Sequence, residues 1–169
     1  MQRSLPLAVL LTLLVATGSA LAQEPFHLSA ILFGREEVPA LSNFGRGTFD
    51  AELSADLTTL TWQLEYSGVP TAVTQAHIHI GQRGVNGGIM VFFCSNLGNG
   101  PVGTPTCPNS GSISGTIHAA DIIGPTGQGV EAGNFFEFQR ALRQGVAYAN
   151  VHSVQFPGGE IRGQVRIVP

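Results

Sequence analysis

The stretch TQAHIHIGQRG, residues 74–84, sets His77 and His79, two of the chain's five histidines, on either side of Ile78. If residues 73–80 are a strand, Val73, Gln75, His77 and His79 share one face, and Thr74, Ala76, Ile78 and Ile80 share the other. The more apolar second set marks the core side. The histidines then turn towards solvent, a groove or a local polar pocket. Alternate strand residues stand roughly 6–7 Å apart, close enough for two imidazoles to converge on one ion. An imidazole pKa near ~6.5 leaves most rings neutral at neutral pH, each with a lone pair to donate. A short His-x-His pair on its own is a weak metal signal and more often serves surface or hydrogen-bonding roles.

A structural zinc takes four protein ligands, and a catalytic zinc takes three with one open position. The best third ligand is His152, in the strand-like run AYANVHSVQFPGGEIRG. Glu160 follows the intervening Pro157-Gly158-Gly159 turn. Antiparallel pairing can return it beside His152, where a carboxylate either ligates an ion or orients an imidazole. Pairing with Arg162, or holding the amides of the turn, is an equally physical use of Glu160. His118 is an outside candidate, and His27 lies close to the start of the mature chain. Asn150 can order backbone groups beside His152. Serine and aspartate are scattered without a nucleophile motif, and no phosphate-binding glycine loop is present.

The elements that must hold these residues are mostly strands. GTFDAEL puts Phe49, Ala51 and Leu53 on one parity, and TLTWQLEYSG puts Leu60, Trp62, Leu64 and Tyr66 on another face. Gly84 and Asn86-Gly87-Gly88 supply a turn before IMVFFC. SGSISGTIHAADI aligns Ile113 with Ile117. The final run GEIRGQVRIV, paired with GVAYANVHSVQF, should turn Ile161, Val165 and Ile167 inward. One segment differs: Phe135, Phe138 and Leu142 recur at helical spacing, with Asn134 to cap the start, Glu137 three residues on, and Gly145 to stop it. The pattern predicts a single all-β domain, an antiparallel β-sandwich or small Greek-key barrel with one short covering helix around residues 134–144.

Residues 1–22 have the three parts of a signal peptide: Arg3, an apolar run from Leu5 to Ala16, and small residues at Ala20 and Ala22. Cleavage would leave residues 23–169 as one domain, secreted or periplasmic, with no later transmembrane segment. The formal net charge is −3 and becomes −4 without Arg3. Every basic residue is arginine, and no basic track for nucleic acid exists. Cys94 and Cys107, the only cysteines, predict one disulfide closing the loop rich in Gly, Pro, Asn and Thr between them.

Three stretches, LFGREEVPA, AHIHIGQRGVNGGIMV and AYANVHSVQFPGGEIRGQV, together resemble the CHRD family, named for a domain found in chordin and in many exported bacterial proteins. The resemblance brackets residues 26–168. It implies an extracytoplasmic all-β domain similar to an immunoglobulin or Cu/Zn superoxide dismutase sandwich, with no general enzymatic reaction. It places the family's signature histidines on His77, His79 and His152, and its terminal acidic motif on Glu160. The dismutases themselves need a larger histidine set, a bridging histidine, a zinc-binding aspartate and an active-site arginine, which five histidines in this arrangement do not supply.

Three functions fit. One is a non-enzymatic structural or binding module for a protein, matrix or cell-envelope partner. The alternative is a copper- or zinc-binding protein using His77, His79 and His152, completed by water or Glu160. A metalloenzyme of unassigned reaction is the third.

Overall fold

The computed structural model describes residues 25–169, so the signal-peptide reading of residues 1–22 lies outside the described residues. Nine strands and one α-helix follow in order: β1 (Phe26–Phe33), β2 (Arg46–Leu53), β3 (Leu60–Ser67), β4 (Val73–Ile80), β5 (Ile89–Ser95), β6 (Gly111–Ile117), α1 (Phe135–Arg143), β7 (Ala147–Ser153), β8 (Ile161–Gln164) and β9 (Arg166–Val168). They form one antiparallel sheet ordered β5-β4-β7-β8-β1-β2-β3-β6, with β9 paired to β1. The sheet curls until its two ends meet. Phe93 of β5 packs its ring 4.4 Å from Trp62 of β3 and 5.3 Å from Phe49 of β2. The result is the expected all-β barrel-like sandwich, nearly closed.

The two-residue period explains most of the core. β3 alternates buried and exposed residues without a break until Ser67, with Leu60, Trp62, Leu64 and Tyr66 inside. β2 contributes Phe49, Ala51 and Leu53 to the same core. Each large apolar side chain buried here stabilises the fold by about 1.5–3 kcal/mol. The helix covers one side of this core with Phe135, Phe138, Ala141 and Leu142. Its start is capped as the sequence implies, since Asn134 Oδ1 accepts the Glu137 N–H at 3.2 Å. The reciprocal half of the capping box is replaced, because the Glu137 carboxylate accepts from the Glu131 N–H at 2.7 Å instead.

The terminal run departs from simple alternation. Ile161 and Val165 are fully buried, but Ile167 is 44% exposed. The physical reason is that the β7 neighbour runs out there: Val165 N–H bonds at 2.9 Å to the O of Ala147, the first residue of β7. β8 lies between β7 and β1, whereas β9 keeps the β1 register but runs past the first residue of β7, Ala147, and has no strand on that side.

β4 and β7 have no free face. All seven residues of β7 are buried, as is Ala76–His79 of β4. One face meets the core, and the segments 34–43, 81–88 and 154–159 close over the other through hydrogen bonds described below. Pairing between β4 and β5 also shifts register twice, between Ala76 and His77 and between Ile78 and His79. Such bulges re-aim side chains, and these two fall beside the histidines.

Cys94, at the end of β5, is bonded to Cys107 across a sequence separation of 13. Asn96 secures the same loop, donating to Val73 O and Cys107 O and accepting from the Cys107 N–H. Closing a loop of this size restricts the unfolded chain. The double substitution Cys94→Ala/Cys107→Ala should therefore lower unfolding free energy by about 2–4 kcal/mol. Urea titration followed through the single tryptophan, Trp62, measures this. An unchanged midpoint would refute it.

Candidate metal centre

Strand register assembles the site. On β4 and β7, Gln75 stands opposite His152, His77 opposite Asn150, and His79 opposite Tyr148. On β7 and β8, Asn150 stands opposite Arg162 and Tyr148 opposite Gln164. Opposed residues of an antiparallel pair project from the same face, so these side chains form one polar layer. The intervening Ala76, Ile78, Ala149, Val151 and Ile161 fill the core behind it.

His77, His79 and His152 converge at the centre of this layer, each able to offer a ring nitrogen within 4.8 Å of the other two. All three are buried, with His77 fully so. The local polar pocket is the outcome among those the strand parity allowed. His77 also packs edge-on against Phe92, with centroids 4.3 Å apart.

Hydrogen bonds fix how the rings present their lone pairs. His79 Nδ1 lies 3.0 Å from Gly87 O, and His152 Nδ1 lies 3.0 Å from Pro157 O. A carbonyl only accepts, so each Nδ1 carries the hydrogen and each Nε2 keeps its lone pair. His152 Nε2 is 3.1 Å from His77 Nδ1, which therefore donates to it. That leaves the Nε2 lone pairs of His77 and His79 buried with no hydrogen-bond partner among the described residues. An imidazole anchored through one nitrogen to a carbonyl, with the other free, is the arrangement that orients metal-binding histidines.

The surrounding groups keep the rings neutral. Burial, aided by charge on His152 and His79, pushes His77 down to about 2. Burial, with charge on His152, pushes His79 down to about 4 against the opposing Gly87 bond. His152 is lowered by burial, with the Pro157 bond opposing. Tyr148 stacks on His79 with centroids 4.8 Å apart and planes 3° from parallel, and the Arg162 guanidinium caps its far face at 3.5 Å. Arg162 donates to Gln82 O, Val85 O and Asn86 Oδ1, pinning the 81–88 loop over the histidines. Asn150 donates to Glu37 Oε1 at 2.7 Å and to Ile161 O at 2.9 Å. Burial raises the Glu37 carboxyl to about 7, with the Asn150 bond and Arg162 opposing and Glu160 reinforcing.

Glu160 is fully buried, and its N–H bonds to Val151 O at 2.8 Å. Its carboxylate is not part of the convergent histidine set, and neither of its oxygens has a hydrogen-bond partner among the described residues. The pairing with Arg162 and the bonds to turn amides weighed from sequence are therefore not formed. His118 is exposed, and the His27 side chain is 56% exposed beside Glu52, away from the cluster. Sequence reasoning missed Glu37, Tyr148 and the use of Arg162. Glu37 does lie within LFGREEVPA, one of the stretches that carry the family resemblance.

A family model described as CHRD domain matches residues 28–165. The chain belongs to the CHRD domain family. No curated protein and no solved structure matches it. All the residues of the polar layer fall within the CHRD span.

Two opposite linkages follow for the metal-free CHRD domain. A histidine held below its ordinary value contributes stability above that value, lost as pH falls towards the folded pKa. A carboxyl held above its ordinary value contributes stability at low pH, lost as pH rises through about 7. Three depressed histidines oppose one raised Glu37, so unfolding takes up protons between roughly pH 6.5 and 4.5. Stability should fall on acidification there by about 1–3 kcal/mol per pH unit, with Glu37→Gln making the slope steeper. Denaturant titrations at several pH values measure this, and a flat profile would refute it.

Proposed function

We propose that this CHRD domain is an extracytoplasmic copper- or zinc-binding module whose ion is held by His77, His79 and His152. The observation that carries the reading is the pair of buried Nε2 lone pairs on His77 and His79, which meet no donor while carbonyls anchor the rings of His79 and His152. Leaving such groups unpaired in a protein interior is costly, and a metal ion repays that cost. Neutral imidazoles suit copper and zinc, and three of them leave one position of a tetrahedral ion for water or an exogenous ligand.

His152 Nε2 must give up its bond from His77 Nδ1 before it can join the Nε2 atoms of His77 and His79 at an ion. Arg162 and Tyr148 position His79, and Pro157 O positions His152. An ion bound here would polarise whatever occupies its fourth position. Glu160 is assigned no place among the ligands. The signal-peptide pattern of residues 1–22 and the Cys94–Cys107 bond support export. Among the described residues no helix is long and apolar enough to cross a membrane.

Elemental mass spectrometry on the mature domain, purified without a polyhistidine tag, tests the reading. About one copper or zinc per chain is expected, lost in His77→Ala/His152→Ala. The ion should also raise the melting temperature of the wild-type domain, because it binds only the folded state. A native domain that carries no metal and takes up neither copper nor zinc on titration would overturn the proposal.

A further inference from the structure

Five buried side-chain polar atoms among the described residues have no hydrogen-bond partner, and they divide by chemistry. Two are the imidazole nitrogens of the histidine centre. The other three are oxygens: both carboxylate oxygens of Glu160, and Oδ1 of Asn43. The two residues are joined, since Asn43 Nδ2 donates to Glu160 O at 3.0 Å. That bond commits the amide nitrogen, so the unpartnered atom of Asn43 is its oxygen.

A second carboxylate lies alongside. Glu37 packs against Gly159, the residue before Glu160, so closely that a Cβ there would fall 2.8 Å from Oε2 and 2.9 Å from Oε1. Gly159 sits at φ 132, a conformation open to glycine and rare for other residues. Charge on Glu160 is felt at Glu37, so the two carboxylates repel one another. The three side chains come from two connections: Glu37 and Asn43 from either end of the loop between β1 and β2, and Glu160 from just before β8.

We propose that Glu160, Glu37 and Asn43 form a second cation site, made of oxygens and suited to a hard divalent ion of the calcium class. Carboxylates and an amide carbonyl are the ligands such ions take, and calcium tolerates the irregular geometry that three loop ends provide. A proton could relieve the repulsion between the carboxylates. It supplies one donor, however, while Glu160 and Asn43 present three unpartnered acceptor atoms. A divalent cation takes lone pairs from several such oxygens at once. The oxygen set is separate from the histidine set in both residues and ligand type, so this inference goes beyond the copper or zinc reading and does not depend on it.

The test is calorimetric titration of the chelator-treated, untagged mature domain with calcium chloride, with magnesium chloride as the comparison. One calcium per chain is expected, with a dissociation constant on the order of 0.1–1 mM, the range of extracellular calcium modules. The melting temperature should rise with calcium. Glu160→Gln should weaken binding by about tenfold or more, because ligand charge sets affinity. Glu37→Gln should weaken it in the same direction and provides the reading if Glu160→Gln does not fold. His77→Ala/His152→Ala should bind calcium as the wild type does. The proposal falls if wild-type protein gives neither heat nor a thermal shift with millimolar calcium or magnesium. It falls equally if binding survives both carboxylate substitutions undiminished, or if calcium binding disappears with the two histidines.

Discussion

The pairing of β4 with β7, in the register that sets His77 against Asn150 and His79 against Tyr148, is the constraint on which the rest depends. A slip of one residue on either strand would send the polar set into the core and bring Ile78 and Val151 out under the loops. The core therefore guards the site. Ala76, Ile78, Ala149 and Val151 are all fully buried, and their preference for that environment fixes which face the histidines occupy. The histidines contribute chemistry to an arrangement that their apolar neighbours specify.

That arrangement would be unstable if the polar face were merely covered. Each loop that closes over it brings a backbone carbonyl or a side chain to a defined partner: Gly87 O to His79, Pro157 O to His152, and Glu37 to Asn150. Arg162 works in the opposite direction, reaching out from the sheet to hold three groups of the 81–88 loop. The loops thus exclude water and set tautomers with the same bonds. Gly87 shows how closely they approach, since a Cβ there would lie 1.5 Å from Ile80 O. A side chain at that position would displace the segment that orients His79.

The parts legible in the sequence were those governed by local periodicity. Alternation located β2, β3, β4 and the β7–β8 pair, and helical spacing with Asn134 located α1. The even cysteine count anticipated the bond from Cys94 to Cys107. The convergence of His77 and His79 with His152 was readable as a possibility, because strand parity puts the first two on one face. Glu37 was not readable this way. It belongs to a loop, and its partner Asn150 is 113 positions away, so no period connects them. Ile167 misled for a related reason: alternation continues through Val165 in the sequence, but β7 begins at Ala147 and covers the run no further, leaving β9 with β1 alone. Local pattern predicts burial only while the strand keeps both neighbours.

Glu160 shows the same limit at its sharpest. Its place after a glycine turn brought it back to the end of β7, near His152 in sequence register, which is why it read as a ligand. Yet Glu160 N–H bonds to Val151 O, whereas Val151 itself is paired with Ile161. The ladder is offset by one residue at that point, and Gly159 at φ 132 supplies the irregular backbone just before it. A one-residue offset is enough to separate a carboxylate from an imidazole that simple pairing would set beside it. The same offset associates Glu160 with Glu37 and Asn43, side chains delivered by the first long loop of the domain. One irregularity at the mouth of β8 therefore goes with a carboxylate that stands outside the histidine set, while Asn150 on β7 lies opposite His77 and bonds to Glu37.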